Sequence, residues 1–149
     1  MAVFSITTEG EEGITTSAET LVQLRGTAGK KARVVKWGVS FKGTDAAAVP
    51  VAVELAYQTT DGTGTGATEV EWDEGDGAAT VTGFHSFSAE PTKGGVLEAT
   101  HVHPQGGALV MEYPPGREPV LQAATSSRLG VIVTAGAAVN AHAFIVWEE

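Results

Sequence analysis

ARVVKWGVSFK, residues 32–42, carries apolar side chains at every second position: Val35, Trp37, Val39 and Phe41. Lys36, Gly38 and Ser40 alternate with them. A period of two puts one set on each face of a strand, so the segment predicts a half-buried β-strand. VAVELAYQ, residues 51–58, repeats the pattern, with Val51, Val53, Leu55 and Tyr57 against Ala52, Glu54, Ala56 and Gln58. SRLGVIVT, residues 127–134, does so again with Leu129, Val131 and Val133. The Val35 and Val51 faces are expected to share one core.

Outward from these three, further strands are expected near Glu19–Gly26, Thr80–Ser88, Val96–His103, Gly107–Glu112 and Ala138–Glu149, with a short one near Val3–Thr8. Glycine-rich turn signals such as GTD, DEGDG, EPTKGG, PQGG and PPG separate them. Helical periodicity is lacking: GTDAAAV and QAATSSR would give a turn or two at most. Eight or nine short strands predict an all-β, antiparallel jelly-roll-like β-sandwich or a related barrel with little helix. Residues 1–16, polar and acidic, read as an N-terminal arm, and residues 17–149 as one domain. Residues 59–77, with five glycines and several carboxylates, read as a long mobile hairpin loop that holds a strand near Thr68–Trp72.

Composition narrows the function. The 149 residues include no cysteine, which excludes disulfides and sulfur-ligated zinc. Nine Lys and Arg face eighteen Asp and Glu, for a net charge of −9, and the only basic cluster is GKKAR, residues 29–33. Phosphate binding needs clustered positive charge, so nucleic acid is not an expected partner. The N-terminus has neither a basic start nor a long apolar run, so no secretory signal is expected. No apolar stretch approaches the length of a membrane span.

The motifs that suggest chemistry are incomplete. In THVHPQGG, residues 100–107, His101 and His103 stand two apart, and a strand would turn both imidazoles to one face as weak candidate metal ligands. An H-x-H pair on a jelly roll resembles the cupin motif. That pattern, however, sets a glutamate a few residues after the second histidine, and the first one here is Glu112. His142 lies on a late strand without the proline–glycine turn of the third cupin histidine, and Pro104 ends the strand directly after His103. GTGTGA, residues 62–67, fits the letters of a dinucleotide fingerprint, but no helix follows it to meet a pyrophosphate. In FHSFS, residues 84–88, His85 and Ser86 are adjacent, and simple alternation puts them on opposite faces. No catalytic centre, cofactor or required metal is expected.

Four stretches carry a resemblance: AETLVQLRGTAGKKARVVKWGVSFKGTD, GFHSFSAEPT, VHPQGGALVMEYPPGREPV and SRLGVIVTAGAAVNAHAFIVWEE. Together they resemble virion structural proteins of tailed bacteriophages, most of all capsid decoration (cement) proteins. The resemblance implies a non-enzymatic protein, assembled in the host cytoplasm, that binds the major capsid protein. It would decorate and stabilise the outer surface of the shell as a homo-oligomer, a trimer in that family's manner. Candidate contacts are Phe4 and Ile6 in the arm, and Tyr113, Pro114, Pro115, Arg117 and Glu118 in the proline-stiffened MEYPPGREPVL. The closing strand, apolar on both faces, adds Ile145 and Trp147. The alternatives are a tail- or fibre-associated adhesion domain and a small cupin-like metal-binding β-barrel.

Overall fold

The computed structural model describes all 149 residues as thirteen β-strands and no helix. None of the chain is therefore a helix long and apolar enough to cross a membrane. In chain order the strands are β1 (Val3–Thr7), β2 (Glu12–Ile14), β3 (Glu19–Arg25), β4 (Ala32–Phe41) and β5 (Val51–Gln58). There follow β6 (Thr63–Gly66), β7 (Val70–Glu71), β8 (Thr82–Ala89), β9 (Lys93–Val102) and β10 (Ala108–Glu112). The last three are β11 (Val120–Leu121), β12 (Arg128–Thr134) and β13 (Val139–Glu148).

Two antiparallel sheets face each other, and neither closes into a barrel. The first runs β10-β4-β13-β1-β7, with β11 added to β4 and β2 to β13. The second runs β6-β8-β3-β12-β5-β9. The chain steps between the sheets from β3 to β4 to β5 and from β12 to β13, so strands near in sequence oppose each other across the core. Every alternating strand can thus turn its apolar face inward. One core of 26 buried residues results, and it makes the chain a single sandwich.

The alternation in β4 changes phase. Trp37, Val39 and Phe41 are buried as the period of two requires, but Val35 is only half-buried and Val34 is fully buried. The cause is a β-bulge: Val146 pairs with Lys36 while the next residue, Trp147, pairs with Val34, so Val35 has no opposite number. Similar shifts skip Leu21 in β3 against β12 and Leu97 in β9 against β5. Leu21 is thereby buried beside its neighbour Val22.

The short strand expected near Val3–Thr8 is β1, and with β2 it lies in the sheet rather than in a free N-terminal arm. Phe4 pairs with Trp147 and Ile6 with Ile145, and β2 pairs with the start of β13. An apolar side chain every second residue inserts β1 into the sheet between β13 and β7. Residues 59–77 hold the strand expected near Thr68–Trp72, as β7, but are otherwise not a simple hairpin loop. They form β6 on the second sheet and β7 on the first, and so cross between the sheets. Gly62, at φ 63°, packs against the carbonyl of Ala89 and the ring of Pro91 and starts that crossing.

Candidate functional site

Four of the nine expected contact residues belong to the core. Phe4, Ile6, Ile145 and Trp147 are all buried, and the Phe4 and Trp147 rings lie 5.8 Å apart at 31°. They hold the two sheets together and face no partner. Phe144 and Val146 occupy the opposite side of β13. There the Phe144 ring lies over Gly38, where a Cβ would come within 2.5 Å of it.

The remaining five keep their surface position on the segment after β10. Pro114, Pro115 and Arg117 are exposed; Tyr113 and Glu118 are partly covered. A tight turn fixes the segment: Arg117 N donates to the Pro114 carbonyl (3.1 Å) and Gly116 N to the Glu118 carboxylate (2.7 Å). Gly116 takes φ 87°, a conformation a side chain would strain.

Tyr113 ties this segment to an open flank of the sandwich. β9 is the edge of one sheet and β10 the edge of the other, and the cleft between them is lined by Trp37, Val53, Ala99, Thr100, Leu109 and Met111. Trp37 Nε1 donates to the Tyr113 hydroxyl at 2.9 Å. The seventh lining residue is Glu98. It pairs with Leu55, a core residue, and therefore turns its side chain inward. Burial, with a hydrogen bond to the Glu98 carboxylate and that carboxylate's charge, pushes the Tyr113 phenol far above its ordinary pKa, although the Trp37 hydrogen bond opposes this. Oε2 of Glu98 is buried without a hydrogen-bond donor. Val96 and Leu97 on β9 are exposed beside it, and Val110, 54% exposed, lies on the other face of β10 beside Phe144.

His101 and His103 stand apart from this cleft. Both are exposed, and His101 pairs with Ala52 on the outer side of β5. His103 lies past the strand end, where its Nδ1 accepts the Gln105 N–H at 3.1 Å and braces the turn that Pro104 begins. No three His, Asp or Glu side chains converge closely enough to hold a metal ion. The GTGTGA segment is strand β6 and its flanks, with no helix after it.

His85 and Ser86 do meet, contrary to simple alternation. β8 bulges between His85, paired with Thr65, and Ala89, paired with Thr63, and Ser86 takes a left-handed φ of 49°. The Ser86 hydroxyl comes 2.8 Å from His85 Nδ1 and donates to Glu12, whose carboxylate is 3.2 Å from that same nitrogen. Glu9 lies 3.5 Å from His85 Nε2 and accepts the Thr68 N–H. That hydrogen bond to Thr68, with help from His85, holds Glu9 below the ordinary carboxylate range despite some desolvation. Glu9 lies in the connection between β1 and β2 and Glu12 on β2, both strands being paired with β13, while His85 lies on the other sheet, so the cluster fastens that connection across the sandwich. The hydroxyl proton is directed at a carboxylate, and neither Ser86 nor His85 lines any of the three principal cavities. The arrangement is that of a clasp.

Two more polar features escaped the sequence reading. On the outer face of the second sheet, Gln23 Nε2 donates to Gln58 (2.7 Å), and Gln58 Nε2 to Thr20 (2.9 Å). Arg25 donates to Gln23 and stacks 3.4 Å over the Phe84 ring, and Asp61 joins Arg25 and Arg128. Gly130 gives this network room, since a Cβ there would lie 2.6 Å from Gln58 Oε1. The largest cavity, about 710 Å³, lies beside residues 42–49, and its one lysine, Lys42, already pairs with Glu11 at 2.7 Å. Comparison of the chain with protein-family models, with curated proteins and with solved structures found no match.

Proposed function

We propose that this chain is a non-enzymatic structural protein of a phage virion, one that decorates and stabilises the outer surface of the capsid as a homo-oligomer, most simply a trimer. The observation that carries the assembly part is the open flank. Two edge strands, β9 and β10, lie together with unpaired backbone and exposed Val96, Leu97 and Val110. Monomeric sheets protect such edges, because free N–H and C=O groups beside apolar side chains invite another chain. A subunit contact is the role that suits them. The rigid Pro114–Pro115–Gly116 turn adds a projection that loses little entropy when it docks.

The capsid part rests on the resemblance of the four sequence stretches to decoration proteins, and the net charge of −9 agrees with it. An acidic surface is repelled by packaged nucleic acid and suits the outside of a shell. Shells assembled with and without the chain provide the test, by cryo-electron microscopy and by survival on heating. Added density on the outer surface and higher heat resistance are expected. Identical surfaces and identical resistance would overturn the reading.

A further inference from the structure

We infer that the flank between β9 and β10 is a subunit contact in which the Glu98 carboxylate receives the Arg117 guanidinium of a second copy. The inference rests on the homo-oligomer proposed above and names the contact that builds it. Its first ground is the orphaned oxygen. Glu98 Oε2 is buried with no donor from its own chain, and an unpaired buried carboxylate oxygen is costly to keep. The apolar walls of Trp37, Leu109 and Met111 lower the local dielectric, so a cation arriving there gains more than it would in water.

The second ground is the supply of cations. Arg25, Lys42, Lys93 and Arg128 are engaged in ion pairs within the chain. Arg33 and Lys36 lie on β4 directly across from Glu148 and Glu112. Lys30 and Lys31 sit at the exposed β3–β4 turn on long flexible stems. Arg117 is exposed, makes no ion pair in its own chain, and is carried on the turn that the two prolines and Glu118 hold rigid. A guanidinium is also the donor best shaped for a carboxylate, since it binds two-pronged.

A third ground excludes the obvious alternative. If β9 paired with β9 of a second copy over its full length, the added strand would extend the sheet past the flank and bring no cation to Glu98. An inward-pointing charge on an edge strand disfavours edge-to-edge pairing. The loop-into-flank contact instead presents a cation to it.

Sedimentation equilibrium of the isolated full chain in about 0.15 M salt, where the mutual repulsion of acidic copies is screened within about 8 Å, tests this without any shell. Self-association is expected for the wild type. Glu98→Gln and Arg117→Ala should each weaken it roughly 30-fold or more. The double variant E98Q/R117A should be no weaker than either single one. The reversal E98R/R117E, if its circular dichroism and melting remain native, should recover most of the loss. A wild type that stays monomeric at the highest attainable concentration overturns the inference. So do single variants that associate like the wild type, or single losses that simply add in the double variant. Oligomers of the predicted kind that leave shells unaltered would instead refute the capsid reading and leave this contact standing.

Discussion

The bulge in β4 makes a quantitative claim about two adjacent valines. Unbroken alternation from Phe41 back along the strand would bury Val35 and expose Val34. The structure has Val34 fully buried and Val35 half-buried, because Trp147 of β13 pairs with Val34 and skips Val35. Val34→Ala removes two carbons from a filled site. At about 0.8 kcal/mol per buried methylene the transfer loss is about 1.6 kcal/mol. The unfilled space then brings the total to about 2–3 kcal/mol. Val35→Ala removes the same atoms from a site water already reaches, and should cost about 0.5–1 kcal/mol. In a domain of this size the two variants should melt roughly 4–12 °C and at most about 4 °C below the wild type. Urea unfolding followed by circular dichroism, at one protein concentration and with the slope m unchanged, gives the two differences directly. A Val35→Ala variant that loses as much stability as Val34→Ala would refute the bulge and restore the unbroken register.

Trp37→Ala, which empties a large buried site and removes the donor to Tyr113, should cost about 3–5 kcal/mol in the same urea assay; a loss under 1 kcal/mol, by the same scale, would contradict its core position. The hydrogen bond from Arg128, with the charges of Arg25 and Arg128, holds Asp61 below the usual aspartate range against a smaller desolvation effect. A depressed folded-state pKa adds stability above the unfolded value, about 3.9, and loses it as pH falls through the folded value. Asp61→Asn should therefore melt lower than the wild type at neutral pH and converge with it in acid; a gap that persists unchanged to the lowest pH would refute the assignment. At Ser86, φ 49°, alanine and glycine both remove the hydroxyl contacts to Glu12 and His85, but glycine alone relieves the left-handed strain. Ser86→Gly should exceed Ser86→Ala in stability by about 0.5–1 kcal/mol net of its greater unfolded freedom; equality or the reverse order would remove the strained turn.

Alternation made the sheets legible because it is a local property of half-buried strands. Leu129, Val131 and Val133 needed no knowledge of their neighbours, and all three are core residues. The bulges at Leu21, Val35 and Leu97 were not legible, because each is defined by what the partner strand skips. β1 was legible as a short strand near Val3–Thr8, but its place inside the sheet was not. Phe4 and Ile6 alternate, but the acidic, threonine-rich sequence after them suggests solvent. Only the pairing with Trp147 and Ile145 explains why the segment is held. Short strands such as β6 and β11 carry too few residues for any period to appear, and they exist because a longer strand offers them an edge.

The candidate site was half-legible for a related reason. The proline turn that presents Arg117 is written in consecutive residues, since proline and glycine restrict the backbone wherever they occur. The receptor for it is not. Glu98 sits in VLEATHV, where alternation from Val102 turns it inward with Thr100. An inward carboxylate in a short strand reads as a lapse in the pattern, and nothing in the string of letters separates a lapse from a device. What separates them is position in the sheet. On a central strand, Glu98 would meet apolar neighbours on every side and would need a protein donor to be tolerated. On an edge strand, beside a second edge, it meets a Tyr113 hydroxyl on one side and an opening on the other. An unsatisfied carboxylate is tolerable there if another chain arrives to satisfy it. Until then the same charge keeps the edge from pairing with its own copy.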